Sequence, residues 1–353
     1  MLLPILIVLC ISVQIVSADI TTVFQSGESG YNCVRIPSLF TTAKGTLLAF
    51  GEGRKYNCGD ATEKDIIYKR STDNGQTWSE LKILCRGNFT DDGYNRVGNF
   101  APVQLKYNQR ILVPFTRNDI NIMQSYSDDD GLTFSPAQVI PNVTKPDWKI
   151  VALGPPSGIL LQSNRILVPA NRPINSSLSG SYSLGYVMLN DHNGQIDKWY
   201  LGGEYRLDGL FPNEAQAVEL LPKADSIFIN ARSITTVRIG AYSNDGGLTF
   251  NKVNILKTLV EPHNGCEGST IYHPNSNQLF YTGLANTTVR TNLSLYISND
   301  ESENWTYIKS IWPGPSAYSS MATLNDQSVA VLFEGGNKTS VDSIMYTKIY
   351  NAM

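Results

Sequence analysis

An octapeptide of the form SxDxGxT followed by an aromatic residue occurs three times and limits what this chain can fold into. It runs from Ser71 to Trp78, from Ser127 to Phe134 and from Ser243 to Phe250, with a degenerate copy from Ser298 to Trp305. Its aspartates stand at Asp73, Asp129, Asp245 and Asp300, intervals of 56, 116 and 55 residues. The middle interval is a double one, and Asp191 in LNDHNGQ falls near the gap as the eroded copy. Self-similarity at a fixed period marks a repeat architecture, in which each unit buries its apolar face against its neighbours.

A second motif keeps the same beat. GTLLAFGEGR ends at Arg54, QRILVPFTR at Arg117, NRILVPANR at Arg172 and DSIFINAR at Arg232, and NQLFYTGLA and QSVAVLFEGG continue the series. Ahead of each lies another short apolar run, giving six units of roughly 50 to 65 residues, each with four strand-length runs between Gly, Asn and Asp turns. Four strands repeated six times predict an all-β six-bladed propeller with four-stranded blades. In the octapeptide the Asp accepts turn amides, the Gly takes a positive φ, and the aromatic plugs between neighbouring strands, so the copies read as hairpin turns. DDDG at 128–131 has part of a calcium-loop pattern but lacks the Glu that would complete it, and no metal is expected.

Residues 1–18 carry no charge and end in Val16-Ser17-Ala18, a small-residue cleavage pattern. They predict a signal peptide, with residues 19–353 as one propeller domain in a secreted or lumenal, extracellular or lysosomal, protein. Sequons at Asn88, Asn142, Asn175, Asn286, Asn292, Asn304 and Asn337 fit a glycoprotein. A net charge of -3 with scattered Lys and Arg gives no footprint for nucleic acid or an anionic membrane. Cys33, Cys58, Cys85 and Cys266 remain after cleavage and allow three disulfide connectivities, which the sequence leaves open. The three histidines form neither a zinc pattern nor a triad signature.

In a propeller the innermost strands run along the central axis, so their starts converge on one mouth. The six openings lie at Arg35, Asn99, Pro155, Glu214, Glu267 and Tyr318; the ends of second strands add Arg54, Arg232 and Glu334, and Arg290 precedes a third strand. Each charge alone reads as a solvated loop residue. Arginines, carboxylates and a tyrosine at equivalent positions of a ring read as a pocket for an anion.

YNCVRIPSLF, the octapeptides, GEGRKYNCGDATEKD, NEAQAVE, NARS, VRTNLSLY and SAYSSM, in that order over nearly the whole mature chain, resemble the non-viral sialidases (exo-α-sialidases, neuraminidases). The family fold is the six-bladed propeller. The resemblance implies that Arg35, Arg232 and Arg290 grip the carboxylate of a terminal sialic acid through planar bidentate donors, and that Glu334 holds Arg35. It implies Asp60 as acid/base, with Asp65 as the nearest rival, Tyr318 as nucleophile and Glu214 as its base, and Arg54 and Asn99 as further pocket contacts. A neutral phenol relayed to Glu214 avoids the repulsion that a carboxylate nucleophile would meet from the substrate carboxylate.

The resemblance implies an exo-α-sialidase that hydrolyses terminal α-linked sialic acid from glycans, glycoproteins or glycolipids with retention and without a cofactor. The alternatives are a trans-sialidase, which transfers the sugar to an acceptor, and an inactive sialic-acid-binding lectin. Loss of Asp60, Tyr318 or Glu214 would favour the lectin, and all three are present.

Overall fold

A computed structural model describes residues 19–88, 96–175 and 182–350. The predicted signal segment and parts of the sequons at Asn88 and Asn175 lie outside the described residues.

Every octapeptide closes a hairpin by the same hydrogen bonds. In the first, Ser71 Oγ accepts the Asp73 and Gly75 N–H groups and donates to Asp73 Oδ1 (2.7 Å), while Asp73 accepts the Thr77 amide and hydroxyl at 2.9 and 2.5 Å. Ser127/Asp129, Ser243/Asp245 and Ser298/Asp300 repeat this, with Asn304 replacing the Thr in the last copy. At the eroded copy Asn190 Oδ1 takes the serine's part, accepting the His192 and Gly194 N–H groups. Asp191 is therefore not the octapeptide aspartate; it pairs with Arg165 and Tyr200. In DDDG each acid is engaged: Asp128 by Arg110, Asp129 by the turn, Asp130 by Arg70 and Thr46.

The strands between these turns are antiparallel neighbours in chain order. β1 is Thr21–Gln25. One sheet contains β2 (Cys33–Thr41), β3 (Leu47–Arg54), β4 (Lys64–Ser71) and β5 (Lys82–Cys85). The next contains β6 (Val97–Gly98), β7 (Val103–Gln104), β8 (Ile111–Arg117), β9 (Asn121–Ser127) and β10 (Gln138–Val139). A third holds β11 (Ala152–Leu153), β12 (Ile159–Leu160), β13 (Ile166–Pro173), β14 (Ser183–Asn190) and β15 (Tyr200–Tyr205). A fourth holds β16 (Ala215–Glu219), β17 (Ile227–Ala231), β18 (Val237–Ser243) and β19 (Lys252–Val260). The largest comprises β20 (Ser269–His273), β21 (Gln278–Leu284), β22 (Thr291–Ser298), β23 (Thr306–Thr323), β24 (Val329–Gly335), β25 (Ser343–Tyr350) and, at its edge, β1. β23 pairs with β22 as far as Pro315 and with β24 from Ser316 onward.

The octapeptide aromatics join neighbouring sheets rather than neighbouring strands alone. Phe134 of the second sheet packs edge-on against Tyr68 of the first (5.1 Å), and tilted contacts join Phe250 of the fourth to Tyr205 of the third (5.0 Å) and Trp305 of the largest to Phe228 of the fourth (6.3 Å). Trp78 of the first sheet packs against Tyr346 of the largest at 5.5 Å, which closes the circle. Gly75 is required there: its φ is +83°, and a Cβ would stand 2.2 Å from the Tyr346 ring. The result is an all-β, propeller-like arrangement with its apolar core between the sheets.

Candidate active site

Arg35 lies on β2 where the β2–β3 register slips between Arg35 and Ser38, and Tyr318 on β23 where the β23–β24 register slips between Ser316 and Ser319. Such bulges take backbone amides out of the ladder and re-aim side chains. Ile36 sits at φ +58°, a conformation that a β-branched residue adopts only under external constraint. The constraint is Glu334 on β24, whose side chain is 0% exposed. Its Oε1 accepts the Ile36 amide (2.8 Å) and Arg35 Nε (3.0 Å); its Oε2 accepts Arg35 Nη2 (3.1 Å) and the Tyr318 amide (3.3 Å). One buried carboxylate thus fixes Arg35 and the Tyr318 backbone together.

Glu214 immediately precedes β16, and Arg232 immediately follows β17. The Tyr318 hydroxyl donates to Glu214 Oε1 at 2.5 Å, and Arg232 Nη1 reaches both Glu214 Oε2 (2.5 Å) and the Tyr318 oxygen (3.0 Å). The Arg35 and Arg290 guanidinium carbons lie 5.1 and 5.6 Å from the Tyr318 ring centre. Three guanidinium groups therefore surround one phenol. Burial raises the Tyr318 hydroxyl well above its ordinary pKa and Glu214 adds to the rise, against the pull of the three arginines. At neutral pH it is a neutral hydroxyl. Arg290 meets a neutral acceptor, the Gly265 carbonyl, at 3.1 Å.

Asp60 occupies the loop between β3 and β4, its side chain 85% exposed. Arg54 Nη2 holds Oδ1 at 2.9 Å, with Arg35 Nη1 at 3.9 Å. A disulfide joins Cys33 to Cys58, so the bridge ends lie two residues before Arg35 and two before Asp60. Cys85 and Cys266 are buried free thiols, which settles the pairing that the sequence leaves open. Asp65 is turned away, fully buried, accepting the Tyr31 hydroxyl and the Gly87 amide.

Glu52, which the sequence reading passes over, stands beneath Arg54. Its Oε2 accepts Arg54 Nη2 (2.7 Å) and Lys64 Nζ (3.0 Å), and its Oε1 accepts the Asn99 amide (3.2 Å). Asn99 therefore enters the site through its backbone. Burial would raise the Glu52 carboxyl; Lys64 and Arg54 outweigh it and hold it at about 2. The signal was available: Glu52 and Arg54 are two apart on one strand and so share a face.

All nine singled-out residues, Arg35, Arg54, Asp60, Asn99, Glu214, Arg232, Arg290, Tyr318 and Glu334, belong to one connected set of contacts. It offers planar cations for a carboxylate, a phenol beside a carboxylate, and an exposed acid held by Arg54.

The BNR repeat-like domain family matches residues 116–331, more than half of the chain. The sialidase of Micromonospora viridifaciens is 25% identical over 350 residues, covering 88% of this chain and 51% of its own length, so the chain spans about half of that relative. Sialidase-2 of Cricetulus griseus is 25% identical over 373 residues, covering 92% of this chain and 94% of its own. Among solved structures, a Hadza microbial sialidase superposes with a TM-score of 0.82 at 24% identity, over 93% of this chain and 68% of that one. The intramolecular trans-sialidase from Ruminococcus gnavus gives 0.75 at 16% identity, over 93% and 96%. The chain belongs to the BNR repeat-like domain family, and the curated relatives that it resembles at about a quarter identity are sialidases.

Proposed function

We propose that the protein is an exo-α-sialidase that hydrolyses terminal α-linked sialic acid from glycoconjugates with retention of configuration. The observation that carries this reading is the 2.5 Å hydrogen bond from Tyr318 to Glu214 inside a ring of three guanidinium groups. Arg35, Arg232 and Arg290 bind the substrate carboxylate. Tyr318 Oη then attacks the anomeric carbon as its proton passes to Glu214, and Asp60 protonates the departing glycosidic oxygen. In the second step Asp60 takes a proton from water, the water displaces the tyrosyl oxygen, and Glu214 returns the proton to Tyr318. Exposure suits Asp60 to both steps, because the aglycone leaves and water arrives on that side.

The fold counts as six blades if β23 serves two of them, its first part completing β20–β22 and its second opening β24, β25 and β1. On this reading residues 19–353 form one catalytic domain behind a signal peptide, in a secreted or lumenal protein. Among the described residues no helix is long and apolar enough to cross a membrane.

Transfer to an acceptor is the second reading. Tyr182, 44% exposed, packs edge-on at 5.1 Å against the half-buried Phe211, which lies three residues before Glu214, and an exposed aromatic ring can hold an acceptor sugar. Incubation with a fluorogenic α-ketoside of sialic acid, with and without lactose, separates the two. Free sialic acid as the main product is expected; sialyl-lactose would favour transfer, and no release would overturn both. Tyr318→Phe should bind a 2,3-didehydro sialic acid analogue normally while turnover falls by orders of magnitude. Full turnover would remove Tyr318 from the nucleophile's role.

A further inference from the structure

Two of the three arginines are aimed by main-chain carbonyls on a single loop. Arg232 donates to the Asn264 carbonyl through Nε (3.2 Å) and Nη2 (2.7 Å), and Arg290 Nη2 donates to the next carbonyl, Gly265, at 3.1 Å. Asn264 and Gly265 both stand at φ +67°, and a Cβ on Gly265 would lie 2.1 Å from the Ser233 carbonyl. This conformation needs something to hold it.

Behind the loop, away from the mouth, lies a buried ion pair. Arg238 is 0% exposed and Glu261 1%. Arg238 Nη1 donates to Glu261 Oε2 (2.9 Å) and to the Cys266 carbonyl (2.8 Å), and its Nε donates to Asn230 Oδ1 (2.6 Å). Glu261 Oε1 accepts the Ser233 amide (2.8 Å), and Oε2 also accepts the Cys266 amide (3.3 Å). These bonds grip Asn230 and Ser233, on either side of Arg232, and Cys266, beside Gly265. The Arg238 guanidinium also lies over the Tyr281 ring at 5.1 Å. A buried pair of this kind adds little net stability over apolar side chains of the same size, but it fixes geometry through directional bonds.

We propose that Arg238 and Glu261 are positioning residues that set the spacing of Arg232 and Arg290, and with it the affinity for the substrate carboxylate. This rests on reading those arginines as the carboxylate clamp. Neither Arg238 nor Glu261 touches substrate; they act through the Asn264 and Gly265 carbonyls.

The test uses the full chain and Glu261→Gln, with Arg238→Lys as a second variant should the first not fold. Active enzyme is counted with a 3-fluoro sialosyl fluoride, so kcat refers to folded molecules. KM and the inhibition constant of the 2,3-didehydro analogue should rise together by about tenfold, the effect of misaligning a charge-assisted hydrogen bond, while kcat changes by less than about threefold. A merely structural pair would lower the melting temperature and leave both constants within about twofold of the parent; that result overturns the proposal. The parent and Arg290→Lys are controls for the clamp itself. If the parent fails to bind the analogue, or Arg290→Lys binds it as tightly as the parent, the clamp reading falls, whatever Glu261→Gln does.

Discussion

Behind Tyr318 a third carboxyl, Glu267, is only 2% exposed. Its Oε2 accepts the Ser319 amide at 2.9 Å, and its Oε1 has no hydrogen-bond partner among the described residues. Glu334 and Glu267 thus satisfy two successive amides that the β23 bulge releases. Burial raises Glu267 well above the ordinary carboxyl range, with Glu214 and Glu334 adding to the rise. A carboxyl whose folded pKa is raised contributes stability that is complete below its unfolded value, about 4.3, and lost as pH climbs through the folded value. Glu267→Gln keeps an acceptor for Ser319 and does not ionise. It should therefore match or exceed the parent's thermal stability at pH 7, flatten the pH dependence above about 4.3, and keep turnover. Glu267→Ala leaves the amide bare and should cost about 1 to 3 kcal/mol. Gln as damaging as Ala would show that the acid is ionised in the fold. From the sequence Glu267 reads as one more charge at a strand start. Its task depends on an amide 52 residues away, brought near by ring closure, which no local pattern records.

The elements are more legible than their partners. Short apolar runs and turn residues predict the strands, and the octapeptides mark the hairpins that Ser71 and Asp73 close. The exception is β23, read as the end of one unit and the start of the next, whereas the backbone runs on for 18 residues. β23 includes the Trp-Pro-Gly-Pro stretch, 312–315. In the fold Pro315 stands where β23 changes partner, a place where a missing N–H breaks no ladder. The loop from Lys55 to Glu63 is pinned at both ends by the Lys55–Glu63 ion pair and in its middle by the Cys33–Cys58 bridge. Replacing both cysteines by serine should lower stability by about 3 kcal/mol, the typical effect of opening the loop that the bridge closes, a sequence separation of 25. It should also free Asp60, so that turnover falls more on poor leaving groups than on activated aryl ketosides, which need little acid help. Equal loss on both substrates would mean that the bridge supports the sheet and not the acid.

At the scale of the whole molecule, closing the ring and assembling the site are one event. Arg35 belongs to the first sheet, Glu334 and Tyr318 to the last, so their contacts cross the closing seam. The same seam holds Trp78 against Tyr346 and the Tyr346 hydroxyl against the Asn74 carbonyl at 2.9 Å. Another seam, between the third and fourth sheets, holds Tyr205 against Phe250, and the third sheet supplies none of the nine site residues. Both tyrosines are buried, so truncating either to alanine removes a comparable aromatic plug at about 3 to 5 kcal/mol. The functional outcomes should differ. In Tyr346→Ala local opening separates Arg35 from Glu334 before the strands melt, because a seam can open at lower free energy than the whole fold. Activity and analogue binding should therefore be lost several degrees below the melting midpoint seen by circular dichroism. In Tyr205→Ala activity should follow the melting curve, since that seam can loosen without parting Arg35 from Glu334. Inactivation that tracks melting equally in both variants would show that the ring opens only as a single cooperative unit, with no privileged seam.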